Sequence, residues 1–219
     1  MKHQIIFCIF LFFSLSFTSQ IIPIPKIEEG VILGDRATSI IHLEAHFDLL
    51  CPDCRDSYSN LSRVIQELDL FNKNFSMTVH FFPWPFHTYS FLTTVGAKFI
   101  QTVKGSSAAQ GYMEAIFRQQ YIFSGDYLTI NQTEENICQI ITQWIALNST
   151  ECAEIFNSTV YNNMARVSLK IGSQRSVVAT PTYFVNDVRL DDSKTYDYQD
   201  WLNFAYEYVL GWGPKNFLD

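Results

Sequence analysis

The sequence predicts an α/β fold: a mixed central sheet with an inserted all-helical domain. Three observations carry this. First, the apolar run Ser39 to Phe47 leads into Cys51-Pro52-Asp53-Cys54, then a helical stretch, then a second strand-like run at Ser76 to Phe82. Second, from Tyr89 to Ile171 no strand alternation stands out, and the apolar residues recur at helical spacing. Third, Ala179 to Val185 and Val188 to Leu190 flank an Asn186-Asp187 turn and precede one last helix. A β-α-β unit and a β-β-α unit are thus separated by helices.

The chain begins with Lys2 and His3, an apolar run from Ile5 to Phe17, and then Thr18, Ser19 and Gln20. This pattern predicts a secretory signal peptide over 1–19. The run is shorter than the ~20 apolar residues a bilayer span needs, and Ser14 and Ser16 interrupt it. The remainder divides into 20–86, 87–171 and 172–219: sheet, helical insertion, sheet. Pro23, Pro25 and Gly30 mark an extended lead-in, followed by a short strand at Val31 to Leu33 and a Gly34-Asp35 turn. Arg55 to Leu70 reads as a helix with Tyr58, Leu61, Ile65 and Leu68 on one stripe. Pro83-Trp84-Pro85 stops the strand that ends at Phe82. Within the insertion, helices are expected over 89–104, 107–123, 133–147 and 150–171, with Asn148 and Glu151 as a capping box. Asp197 to Leu210 is the last helix, with Trp201, Phe204, Ala205 and Tyr208 on its apolar side and Gly211 and Gly213-Pro214 at its end.

The formal net charge is −7, and no Lys/Arg cluster is present, which argues against nucleic acid as a partner. Removing residues 1–19 would take away Lys2 and Cys8, moving the charge to −8 and leaving Cys51, Cys54, Cys138 and Cys152. An even count fits two disulfides in an oxidising compartment. Sequons at Asn60, Asn74, Asn131, Asn148 and Asn157 fit the same compartment.

Cys51-Pro52-Asp53-Cys54 is the chemical centre. A helix N-terminus offers free N–H groups and partial positive charge, which favour a thiolate on the first sulfur. The second sulfur is spaced to close a disulfide with it. Zinc knuckles share the spacing but usually need a second pair, and no second C-x-x-C exists here. His42, Glu44 and His46 alternate on one strand face, with His80 on the next strand; they are a possible zinc set or simply polar residues on a covered face. Cys138 and Cys152 are a possible structural disulfide. Helices over 133–147 and 150–171 in a simple hairpin would instead pair position 138 with position 158. Six residues at 1.5 Å each leave Cys152 roughly 9 Å out of register, too far for a bond.

Three segments together resemble the DsbA-like group of thioredoxin-fold proteins, the bacterial disulfide oxidases, here as a secreted, eukaryotic-type member. Phe47-Asp48-Leu49-Leu50-Cys51-Pro52-Asp53-Cys54 looks like the group's F-x-x-x-C-P-x-C site. Thr180-Pro181-Thr182-Tyr183-Phe184-Val185-Asn186 is similar to the segment that sets a cis-proline beside the active disulfide. Phe82-Pro83-Trp84-Pro85-Phe86-His87 is similar to the exit from sheet to helical domain. The likeness spans about residues 31 to 212.

The resemblance implies a thioredoxin fold and a protein disulfide oxidoreductase of the secretory pathway, secreted or in the ER or vacuolar lumen. Cys51 would be the exchanging sulfur and Cys54 the resolving one. Pro181 would shield the sulfurs from metal, the Thr180 backbone would pair with an extended substrate, and Pro52 would stiffen the turn. Partners would be cysteine-containing proteins or peptides and a recycling redox partner, with no cofactor. The alternative is a non-catalytic binding module with a structural or vestigial disulfide. Two departures stand out. Asp53 puts a carboxylate beside Cys51, opposing its thiolate and predicting a less oxidising couple than the strongest relatives. Six positions before Cys51, where relatives carry an acid able to relay a proton, lies Ala45. Glu44 is one step off and would serve only if a bulge turned it inward.

Overall fold

The structure, a computed structural model, describes residues 24–25, 29–123, 128–190 and 196–211. The expected signal peptide, part of the lead-in and Gly213-Pro214 lie outside the described residues. Among the described residues, five strands form one mixed sheet: β1 (Val31–Leu33), β2 (Ile41–Phe47), β3 (Phe75–Phe81), β4 (Thr182–Val185) and β5 (Val188–Leu190), in the order β1-β3-β2-β4-β5. β2 and β3 are parallel and joined by the crossover helix α1 (Pro52–Glu67); β1, β4 and β5 add antiparallel. All seven residues of β3 are buried, as a central strand covered on both faces must be.

The helical insertion contains α2 (Ser90–Lys104), α3 (Ser106–Arg118), α4 (Ile130–Ile141), α5 (Ser149–Asn157) and α6 (Thr159–Gln174). The last helix, α7 (Tyr198–Phe204), continues as a π-helical turn over Ala205–Leu210. Two expected helices have different bounds. The 107–123 helix ends at Arg118 and closes with a 3-10 turn at Gln120–Phe123. The 133–147 helix begins earlier, because Thr129 caps it: its hydroxyl accepts from Gln132 N, and the Gln132 side chain returns a bond to the Thr129 backbone.

The expected 150–171 helix is two helices. Ser158 has extended backbone (φ −69°, ψ 119°) and ends α5, and α6 starts one residue later. With α4 ending at Ile141 and α5 only nine residues long, the pair is not a simple hairpin. The hairpin register therefore does not apply: Cys138 and Cys152 are 6.0 Å apart at Cα and are disulfide-bonded. The strand expected from Ala179 begins at Thr182, after Pro181, which has no N–H for the ladder; the Thr180-Pro181 bond is cis.

Strand alternation gives the sheet two different faces. On one, Phe47 packs edge-on against Tyr58 of α1, Phe117 of α3 and Tyr183 of β4, and Tyr183 meets Trp201 of α7. The other is polar for a core. There Glu44 meets Arg175, His46 stacks on His80, and His80 bonds Glu29 at 2.5 Å. Lys98 also bonds Glu29 while only 1% exposed. Gly172 of α6 lets this face close: a Cβ there would collide with the Phe82 ring and come 3.2 Å from His46 Nδ1.

Candidate active site

The β2-to-α1 junction builds the site. Asp48, Leu49 and Leu50 turn the chain out of β2. Cys51 is then the N-cap of α1, with extended φ −76° and ψ 121°, and Pro52 starts the helix, where its missing N–H costs nothing. No side chain caps this end, so the first-turn N–H groups face the sulfurs. Both cysteines are free thiols; Cys51 is 6% exposed and Cys54 fully buried.

Their environments drive the two thiols apart. A hydrogen bond from the Cys54 thiol is the largest influence on Cys51; the backbone N–H groups of Cys54 and Asp53 and the Thr180 side chain add to it. Together they outweigh burial and bring the Cys51 pKa down to about 6. Burial pushes the Cys54 thiol well up, and proximity to Cys51 raises it further. The pair thus holds one sulfur ready as thiolate and one as thiol. Asp53 enters differently from the sequence expectation. Its side chain is exposed, where solvent screens it, and its backbone N–H favours the thiolate.

The Thr180-Pro181 segment lies against the dithiol, with Cys51 Sγ donating to Thr180 O at 3.5 Å. Trp84 Nε1 donates to Thr180 Oγ1 at 3.1 Å. Spacing did not reveal three other residues. The fully buried Asp48 carboxylate accepts from Leu50 N (2.8 Å), Trp84 N (2.8 Å) and Ser90 Oγ (2.5 Å), and bonds His87 Nδ1 at 2.8 Å. Gln120 Nε2 donates to the carbonyls of Leu49 (3.0 Å) and Cys51 (2.9 Å). Asp48 had a readable signal: one acid inside Phe47-Asp48-Leu49-Leu50. His87 closes the Phe82-Pro83-Trp84-Pro85-Phe86-His87 exit, whereas Gln120 had no signal, because its partners are far away in sequence.

Glu44 is not at the site. β2 pairs with β3 in unbroken parallel register from Ile41 to Phe47, so no bulge turns Glu44 inward. Its side chain lies on the polar face, 3.3 Å from Arg175, while the fully buried Ala45 pairs with Val79 and Tyr183. His42 bonds Ser76 Oγ at 2.9 Å, and no group of three or more His, Cys, Asp or Glu able to hold a metal occurs among the described residues. Phe47 is core, whereas Phe86 is 70% exposed and stacked on Trp84. An apolar groove lined by Trp84, Pro85, His87, Phe91 and Leu169 runs beside them. Of the sequons, Asn74, Asn131, Asn148 and Asn157 are exposed, and Asn60 is half-buried on α1.

Comparison with known proteins gives a consistent picture. The thioredoxin family model matches residues 26–203. A search of curated protein sequences finds no match. Among solved structures, oxidised BdbD from Bacillus subtilis superposes with a TM-score of 0.66 at 17% identity, covering 83% of this chain and 94% of that one. DsbA2 from Pseudomonas aeruginosa gives 0.59 at 16% identity, over 88% and 98%. MdbA from Corynebacterium diphtheriae, a thiol-disulfide oxidoreductase, gives 0.54 at 11% identity, over 82% and 96%. With the family model running from the lead-in through α7, and with the helical insertion placed between the parallel pair and the β4–β5 hairpin, the chain belongs to the thioredoxin family and has its DsbA-like fold.

Proposed function

We propose that this protein is a protein disulfide oxidoreductase of the secretory pathway, exchanging disulfides with cysteine-containing proteins or peptides through Cys51 and Cys54. The observation that carries this reading is the split of the two thiols at the start of α1: Cys51, 3.5 Å from the carbonyl of Thr180 in the cis Thr180-Pro181 pair, is lowered to about 6, and the fully buried Cys54 is raised. A structural disulfide has no need of such a division, whereas exchange does.

In the oxidising direction, a substrate thiolate attacks Cys51 Sγ of the Cys51–Cys54 disulfide. The Cys51–Cys54 bond breaks, a mixed disulfide forms at Cys51, and Cys54 leaves with the electron pair and takes a proton. A second substrate thiolate then attacks the substrate sulfur of the mixed disulfide. Cys51 leaves as the stabilised thiolate; the substrate has lost two electrons and the dithiol has gained them. A recycling redox partner, itself a disulfide, takes those electrons. Because the Cys51 thiolate is stabilised, the reduced form is favoured and the disulfide is the better oxidant. A Cys51 thiol lowered to about 6 supports a couple less oxidising than the strongest of this kind, whose thiols lie near 3.5.

Thr180, just before cis-Pro181, offers backbone groups beside Cys51 for an extended substrate segment. The predicted signal peptide and four exposed sequons support a secreted or ER/vacuolar location. The test replaces Cys54 with Ser in the full chain and expresses it in a secretory pathway. The expected result is reductant-sensitive adducts with other proteins that vanish when Cys51 is also replaced. No adducts, together with a reduction potential below about −300 mV, would make the bond structural and the chain a non-catalytic binding module.

A further inference from the structure

Trp84 sits in the Pro83-Trp84-Pro85 exit from the sheet, yet it reaches the redox centre. Its indole N–H is a donor with no acceptor capacity. In the 3.1 Å bond to Thr180 Oγ1 the hydroxyl must therefore be the acceptor, and its own proton is left for another partner. The sulfurs lie next to this residue: the Thr180 carbonyl is 3.5 Å from Cys51 Sγ, and the Thr180 side chain is among the groups that favour the thiolate form of the dithiol. In the reduced protein the Thr180 carbonyl accepts from the Cys51 thiol, but a thiolate needs donors instead. An oriented hydroxyl supplies one.

Trp84 is itself held at three points. Its backbone N–H donates to the buried Asp48 carboxylate at 2.8 Å. Its ring stacks on Phe86 with centroids 5.4 Å apart and meets Phe82 edge-on at 5.0 Å. Asp48 also fixes the other end of the circuit, because its carbonyl accepts from Cys51 N at 3.1 Å. A closed ring thus runs Cys51, Asp48, Trp84, Thr180 and back to Cys51.

We propose that Trp84 is a positioning residue of the redox centre: its indole N–H orients the Thr180 hydroxyl so that the hydroxyl proton serves the Cys51 thiolate, with Asp48 holding Trp84 in place. The inference deepens the oxidoreductase reading and rests on the same dithiol. Its test reads thiol chemistry alone and needs no substrate.

The full chain is reduced, and Cys51 alkylation is followed against pH. Trp84→Phe keeps the ring packing and removes the donor. The expected result is a Cys51 titration moved to higher pH, with alkylation at pH 6 slowed about two- to sixfold, because a hydrogen bond worth about three- to tenfold in the acid constant acts on a thiol about half ionised there. Thr180→Val is expected to give a similar shift, and the double variant no more than either single one, since both act through one proton. A Trp84→Phe shift that persists undiminished in the Thr180→Val background, or no shift at all, overturns the proposal. Should Trp84→Phe fail to fold, the indole N–H resonance of Trp84 in the unsubstituted protein gives the answer. It is expected to move with the Cys51 titration, and to stop doing so in Thr180→Val; a resonance indifferent to that titration overturns the proposal equally. Normal alkylation shifts in a protein that exchanges no disulfides would sink the enzyme reading and leave this one standing.

Discussion

His46 is the strangest single residue in the core. It is fully buried, and neither ring nitrogen has a hydrogen-bond partner among the described residues. Burial first, then the neighbouring His80 and Arg175, hold it neutral with a pKa of about 3; burial and Arg36 hold His42 at about 4. Unfolded histidine titrates near 6.5. Both native values lie below the unfolded one, so the unfolded chain binds more protons in between. The stability they contribute is complete above pH 6.5 and is lost as pH falls from there toward 4 and 3. His46→Leu keeps the volume roughly and removes the titration. The expected outcome in chemical denaturation is unchanged or higher stability at pH 7 and a visibly shallower loss between pH 6.5 and 4. Gln120 is the opposite case, a buried side chain whose amide nitrogen makes two hydrogen bonds. Gln120→Met would leave the Leu49 carbonyl unpaired beside the dithiol, at a cost of about 1–3 kcal/mol in the same measurement.

At the scale of elements, the sequence was clearest where a local rule applied. The strand–C-x-x-C–helix junction, the Pro-rich exit and the Asn148 cap were all legible, because period and end signals act within a few residues. Asn148 Oδ1 accepts from Thr150 N at 2.9 Å and Glu151 N at 3.0 Å, while Glu151 returns a bond to Asn148 N. The Ser158 break had a signal that went unused: Asn157-Ser158-Thr159 repeats the Asn-Ser-Thr that opens α5, and α6 starts from Ser158 and packs along α2 and β3. That missed break is why Cys138 and Cys152 seemed out of register. Their bond closes a loop with a sequence separation of 14, and removing it by Cys138→Ser with Cys152→Ser is expected to cost about 3 kcal/mol. The loss should appear as a lower denaturant midpoint, with Cys51 alkylation unchanged, because the pair stands apart from the dithiol circuit.

For the whole molecule, two long-range facts decide what the site can do. The parallel register of β2 on β3 sends Ala45 to the α1 face and Glu44 to Arg175, so no acid on β2 relays a proton to Cys54. Sequence showed the one-residue offset but could not exclude a bulge, since a bulge is set by the partner strand. The other fact is that segments 36, 96 and 129 residues away (Trp84–Asp48, Trp84–Thr180 and Cys51–Thr180) close on each other around the sulfurs. Gly172 shows how tightly the helical insertion seats on the sheet. Gly172→Ala drives a methyl into Phe82 and is expected to destabilise by about 1–3 kcal/mol in thermal or chemical unfolding.

The asymmetry of the two thiols is central to the proposed chemistry, and the pH dependence of their alkylation in the reduced full chain measures it most directly. The predicted result is that one cysteine, Cys51 by mass mapping, reacts with a midpoint near pH 6, while Cys54 stays unmodified until the protein unfolds. Both thiols reacting together with a midpoint near 8.5, the value of an unperturbed cysteine, would contradict it.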